Sequence, residues 1–138
     1  MTQSFTIVGL GEAVFDVFPD KEVLGGTSLN VAVQAHQLLA PMDGRGVLLS
    51  RIGSDALGER LQAEFRARSL PLEYIQVDES HPTGQVLVRF EGDAPRFEIV
   101  VDTAWDLLQF TDHERELTRA CNAVSSVSYT HLTLPTSD

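Results

Sequence analysis

Between Phe5 and Arg68 the apolar pattern changes period twice, from strand-type runs to helical stripes, and this alternation is the strongest constraint on the fold. Phe5–Leu10 is a short β-rich run; Ala13–Phe18 continues it beyond Gly11-Glu12, until Pro19-Asp20 breaks it. Gly25-Gly26 then precedes a helix running to about Leu39, with Thr27 or Ser28 as the expected N-cap. Its apolar residues Leu29, Val31, Ala32, Ala35, Leu38 and Leu39 suit helical spacing with one buried face, and Pro41 and Gly44 end it. Val47–Ile52 reads as a buried strand. Asp55 caps a second helix from Ala56 to about Arg68, with Leu57, Leu61 and Phe65 as its core stripe. The order strand, helix, strand, helix predicts an α/β fold with a parallel sheet and flanking helices.

The middle of the chain changes character. Tyr74–Val77 is a short strand. Thr83–Glu91 and Arg96–Val101 alternate about Gly92-Asp93-Ala94-Pro95, which predicts a partly solvated β-hairpin over about 83–101. Thr111, with Glu114 three residues on, is a capping-box pattern opening a further helix. From Val127 to Thr136 the sequence fits neither a helix nor a following strand. It resembles the translation of a transposon-end adapter used in sequencing-library preparation. The expected organisation is therefore one domain portion, 1–126, and a non-native tail, 127–138, whose Tyr129 and His131 are excluded from function.

Charge narrows the partners. The net charge is −10 with Lys21 as the single lysine, which disfavours nucleic acid. It leaves ATP open, because a nucleotide site needs local donors and usually Mg²⁺ rather than a positive surface. No apolar run approaches the roughly 20 residues that span a bilayer. The first residues lack a signal-peptide pattern, and the one cysteine, Cys121, has no internal disulfide partner, so a cytoplasmic protein is expected.

Two phosphate-binding motifs fail on spacing. Gly9-Leu-Gly11 follows a strand, but the dinucleotide fingerprint needs a glycine where Val14 stands, and no glycine is followed by Lys and then Ser or Thr. Asp16 is more informative, lying among apolar neighbours near a strand end, where an unsatisfied carboxylate is costly. One carboxylate can accept two hydrogen bonds from a vicinal diol such as a sugar offers. Gly25 and Gly26 allow a ligand close to the backbone at a helix start, and Asn30 in the first turn offers donor and acceptor. The residues equally allow a plain reading, in which Asp16 caps a turn, the glycines bend the chain and Asn30 is a surface residue.

A series of motifs favours the first reading. Gly11-Glu12…Asp16 with Gly25-Gly26…Asn30-Val-Ala-Val resembles the opening of PfkB/ribokinase-type carbohydrate kinases, bacterial fructokinases in particular. Arg51-Ile-Gly53-Ser-Asp55-Ala-Leu-Gly58 resembles the next family signature. Pro82-Thr-Gly84-Gln-Val and the hairpin to Phe97-Glu-Ile-Val resemble the substrate lid, and Ala104-Trp105-Asp106 a fructokinase-like segment beyond it. The resemblance runs in order from about Thr6 to Val124.

It implies a partial ribokinase-like sheet with a hairpin lid, and a sugar held by Asp16, the Gly25-Gly26 backbone and Asn30. The lid would close over the sugar and keep water from ATP, with strand parity deciding which of its side chains face inward; it could also serve a homodimer. ATP and Mg²⁺ would belong to the full-length parent. The family's catalytic base lies in a Gly-Ala-Gly-Asp signature far down the chain; none occurs here, so no catalytic or metal-ligating residue is assigned and the 138-residue chain is expected to be inactive alone. A half sheet with an open edge also predicts poor solubility. The competing expectation is a non-catalytic sugar-binding or lid-mediated interaction module. Asp55 is expected to act as a helix cap, Trp105 to pack, and His36 and His81 to be structural or exposed.

Overall fold

The computed structural model of the chain describes residues 5–126. The expected non-native tail, 127–138, lies outside the described residues.

Two four-stranded sheets share one body. The first is parallel throughout and is built from β1 (Thr6–Leu10), β4 (Arg45–Gly53), β5 (Ile75–Asp78) and β8 (Ala123–Ser126), in the order β5-β4-β1-β8. The second is mixed and combines β2 (Val14–Val17), β3 (Glu22–Gly25), β6 (Gly84–Glu91) and β7 (Ala94–Ile99), in the order β3-β2-β6-β7. The helices are α1 (Thr27–Leu39), α2 (Ala56–Ala67) and α3 (Asp112–Ala120).

Both faces of the parallel sheet are covered, as such sheets require. On one side Leu48 and Ile52 of β4 pack with Ala32 and Val33 of α1 and Leu61 and Phe65 of α2. On the other, Val8, Val47 and Leu49 meet Leu117 of α3. Two glycines set how close α1 lies. A Cβ on Gly9 would stand 2.1 Å from the Ser28 carbonyl oxygen, and one on Gly46 would stand 2.1 Å from that of Ala32. The helix therefore rests backbone on backbone against β1 and β4. His36 adds a polar tie, its Nδ1 accepting from the Gly46 amide at 3.2 Å.

Several local expectations are corrected. Residues 13–18 do not prolong the first strand: Gly11 adopts φ 136°, and β2 leaves to pair with β3 and β6 in the second sheet. Strand β3 was not anticipated. The hairpin turn is only Gly92-Asp93, since Ala94 already pairs with Glu91 and Pro95 with Phe90 on an edge strand where a missing N–H is tolerated. Neither Thr27 nor Ser28 caps α1. Its N-cap is Gly26, and the Ser28 hydroxyl is spent on the Leu10 carbonyl at 2.7 Å. The Thr111–Glu114 capping box forms as expected.

The second sheet is anchored at one end only. Phe15 of β2 is fully buried in the α1–α2 core, worth about 1.5–3 kcal/mol by its burial. The hairpin of β6 and β7 runs outward until β7 is exposed along nearly its whole length.

Candidate functional site

Strand register divides the second sheet into two faces. Residues paired in register share a side, so Asp16 lies with Val14, Val23, Gly25 and Val86, and further out with Val88, Phe90, Phe97 and Ile99. Phe15 and Leu24 take the opposite side and enter the core. The parity of the β6–β7 hairpin follows: Val86, Val88 and Phe97 share the Asp16 face, whereas Arg89, Arg96 and Glu98 do not. Trp105 closes the inner end of this face. A Cβ on Gly84 would stand 2.5 Å from its ring and 2.7 Å from Val14, so the indole packs there as expected.

Three of the four expected site residues come together. Gly25 lies beside the Asp16 carboxylate, with its Cβ direction 3.5 Å from Oδ2. Gly26 follows at the N-cap of α1 with φ 110°, a conformation that favours glycine. Asn30 lies one turn into α1, its amide donating to the Gly26 carbonyl at 2.9 Å. The residue is exposed and borders a cleft between α1 and α2 with Leu29, Val33, Glu64 and Phe65. No side-chain contact joins it to Asp16 among the described residues.

Among the described residues no donor reaches the Asp16 carboxylate. Burial, and next the charge of Glu12, push its pKa above the ordinary carboxylate value. The group is half-buried and has acceptor capacity to spare. Asp106, beside Trp105, is raised likewise, by burial and then by Asp102.

A second set of acids, at the C-terminal ends of β4 and β5 and in the first turn of α3, is fully engaged. Asp55 caps α2 by accepting from the Gly58 amide at 2.9 Å, and also accepts from the Thr83 amide at 2.9 Å and the Thr83 hydroxyl at 2.6 Å. Burial opposes its ionisation, but these donors outweigh burial and hold its pKa low. Asp78 pairs with Arg51 at 2.9 Å and accepts from the Ser80 and His81 amides. The Arg51 guanidinium, first among these, holds it well below the usual range. Glu114 is held low, against burial, by Thr111 and Gln76. Asp55 is thus a structural cap, as the sequence predicts, and His81 belongs to the Asp78 knot rather than to a ligand site.

One residue that sequence reasoning missed joins the site. Glu12, only 5% exposed, accepts from the Thr27 amide at 2.9 Å and so caps α1 from fifteen positions upstream. In the sequence it stands within the Gly11-Glu12…Asp16 motif, a charge between two strand-type runs to which the sequence alone assigns no role.

No group of three or more His, Cys, Asp or Glu side chains is placed to hold a metal ion among the described residues. The charges of Asp16 and Glu12 suit a neutral ligand better than a triphosphate, and among the described residues no acidic cluster is placed to hold Mg²⁺. No helix among them is long and apolar enough to cross a membrane.

Comparison with known proteins agrees with this geometry. The chain is 32% identical over 110 residues to the fructokinase of Escherichia coli, covering 75% of this chain and 34% of that protein. A solved structure of an uncharacterized sugar kinase from Pyrococcus horikoshii superposes with a TM-score of 0.72 at 25% identity, covering 88% of this chain and 42% of that one. The same kinase in complex with ATP superposes at 0.69, with 25% identity over 88% of this chain and 41% of that one. The chain spans about a third of the length of the curated relatives it matches. These neighbours are ribokinase-like sugar kinases, and the fold here, a parallel sheet with flanking helices and a second sheet, is theirs. The pattern of the pfkB family carbohydrate kinases matches residues 7–137, and the chain belongs to that family.

Proposed function

We propose that this chain forms the sugar-binding part of an ATP-dependent, fructokinase-like carbohydrate kinase. The observation that carries the reading is Asp16, a half-buried carboxylate without a donor, facing Gly25 at the start of α1. A buried acceptor of this kind is costly until hydroxyls satisfy it, and a vicinal diol supplies two donors at the spacing of two carboxylate oxygens. Gly25 leaves room for the sugar to approach the backbone beside Asp16 and Gly26 follows it into α1, while Asn30, which borders the α1–α2 cleft, is included on the family resemblance. The hairpin of β6 and β7 closes over the sugar with its Val86, Val88 and Phe97 side. The similarity to a fructokinase supports the sugar class, and the ATP complex of a neighbour supports ATP as the phosphoryl source of the whole kinase; Mg²⁺ enters the proposal as the usual companion of a transferred triphosphate. The chemical step is assigned to residues outside this chain, because the Gly-Ala-Gly-Asp signature is not in it; the 138-residue chain binds without transferring phosphate.

The test is an NMR titration of the chain with fructose. The expected result is a saturable shift of the Gly25, Gly26 and Thr27 amides that Asp16→Asn abolishes. Shifts that survive Asp16→Asn, or none with any neutral hexose or pentose, would overturn the assignment.

One observation favours an interaction role for the lid. Phe90 and Phe97 are 56% and 67% exposed on the same face. The pairs Arg89–Glu98 and Arg96–Glu91 lie on the opposite face of the hairpin, so the strip carries no charge of its own, and a two-fold contact sets the same strip against itself. In that reading the strip meets a second copy, and sedimentation across a concentration range distinguishes the two occupants.

A further inference from the structure

We propose that Glu12 is a positioning residue of the sugar site, holding the Gly25-Gly26 turn through the N-terminus of α1 and presenting its own charge to Asp16; the proposal rests on the sugar-site reading above.

Helix α1 lacks a side-chain cap of its own. Gly26 has no side chain, and Ser28, the next polar group, is committed to the Leu10 carbonyl. The free Thr27 amide is taken by Glu12 Oε1 from the link between β1 and β2. A carboxylate at this end of a helix also meets the positive end of the helix dipole. The Glu12 stem lies directly under the turn. A Cβ on Gly26 would stand 3.0 Å from the Glu12 carbonyl oxygen and 3.3 Å from its Cγ.

Glu12 is itself held from behind. The Gly11 amide donates to the Leu49 carbonyl at 3.1 Å, and the Gly11 carbonyl accepts from the Ser50 hydroxyl at 2.5 Å. A chain of contacts therefore runs from β4 through Gly11 and Glu12 to the turn that borders Asp16. The neighbours packed against Asp16 from the flanking strands, Val23 and Val86, carry no charge, and Gly25 carries no side chain. Glu12 is the charged group whose field reaches Asp16. One carboxylate thus fixes where the glycine backbone stands and biases the proton affinity of its neighbour, without a place on the sugar itself.

Glu12→Gln and Glu12→Ala separate the two roles. Glu12→Gln keeps an oxygen for the Thr27 amide but removes the charge, so the Asp16 titration followed by carboxyl NMR should move to lower pH. Glu12→Ala removes both, and exchange of the Thr27 amide should also rise roughly fivefold or more, the scale of a lost N-cap. If Glu12→Ala fails to fold, Glu12→Asp keeps the charge on a shorter stem and should loosen Thr27 while leaving Asp16 raised. An unchanged Asp16 titration in Glu12→Gln, or unchanged Thr27 exchange in the shortened variants, overturns the proposal. Both measurements are made without sugar, so absence of fructose binding to the unaltered chain would sink the sugar-site reading separately.

Discussion

The acids at the end of the parallel sheet and the acids on the second sheet's inner face are the same chemical group under opposite conditions. Asp55, Asp78 and Glu114 each collect several donors and are held in the ionised form. Asp16 and Asp106 are also partly withdrawn from water, but each meets another carboxylate and is pushed toward the protonated form. Asp78 and Glu114 are buried and Asp106 is exposed, but Asp55 and Asp16 are alike half-buried, so depth does not separate those two; the supply of donors does. An acid whose oxygens are satisfied within the chain is structural, and one left unsatisfied at comparable depth is available to a ligand.

Asp55→Ala leaves the Gly58 amide and both Thr83 donors unpaired, and urea unfolding should show a loss of about 2–4 kcal/mol. A loss below about 1 kcal/mol would mean that the knot does not carry stability. A smaller effect should appear on acidification. For Asp55, Asp78 and Glu114 the folded pKa lies below the unfolded one, so their stabilisation is present above about pH 4 and is lost as pH falls through the folded values. For Asp16 and Asp106 the sign reverses: their contribution favours the fold below about pH 4 and is lost as pH rises through the folded values. The melting temperature should therefore fall in acid, less steeply in Asp55→Ala, and a melting temperature that rises on acidification below pH ~4 would contradict the assignment of the two sets. The smallest effect sharpens the contrast. Asp16→Asn should change unfolding stability by no more than about 0.5 kcal/mol, if anything upward, because it removes a repulsion and no donor. A loss as large as that of Asp55→Ala would make Asp16 another structural acid.

The sequence was legible where its signals were local. β1 and β4 follow from continuous apolar runs, the α2 cap from Asp55 at the helix start, and the α3 box from Thr111 and Glu114 three residues apart. Asp16, Gly25 and Gly26 were legible as a set, and the structure puts Gly25 beside Asp16. What escaped was decided at a distance. β3 opens with the polar Glu22 and is a strand because β2 pairs with it. Glu12 caps a helix that starts fifteen residues later, and no local rule assigns Thr27 to it rather than to Ser28. The parity of the β6–β7 hairpin likewise depends on the register of β6 against β2, set by where Gly84 meets Val14.

The two glycines under α1 carry a consequence for divergence. Because Gly9 and Gly46 seat the helix on the strands main chain to main chain, the spacing between the α1 start and the β1–β2 link is a fixed dimension, independent of the size of the hydrophobic residues around it. Substitutions that enlarge or shrink the neighbouring core can accumulate without recalibrating the distance from Asp16 to Gly25-Gly26. A single methyl group at either glycine would reset it, so descendants of this chain have wide freedom in their interior and almost none at those two positions.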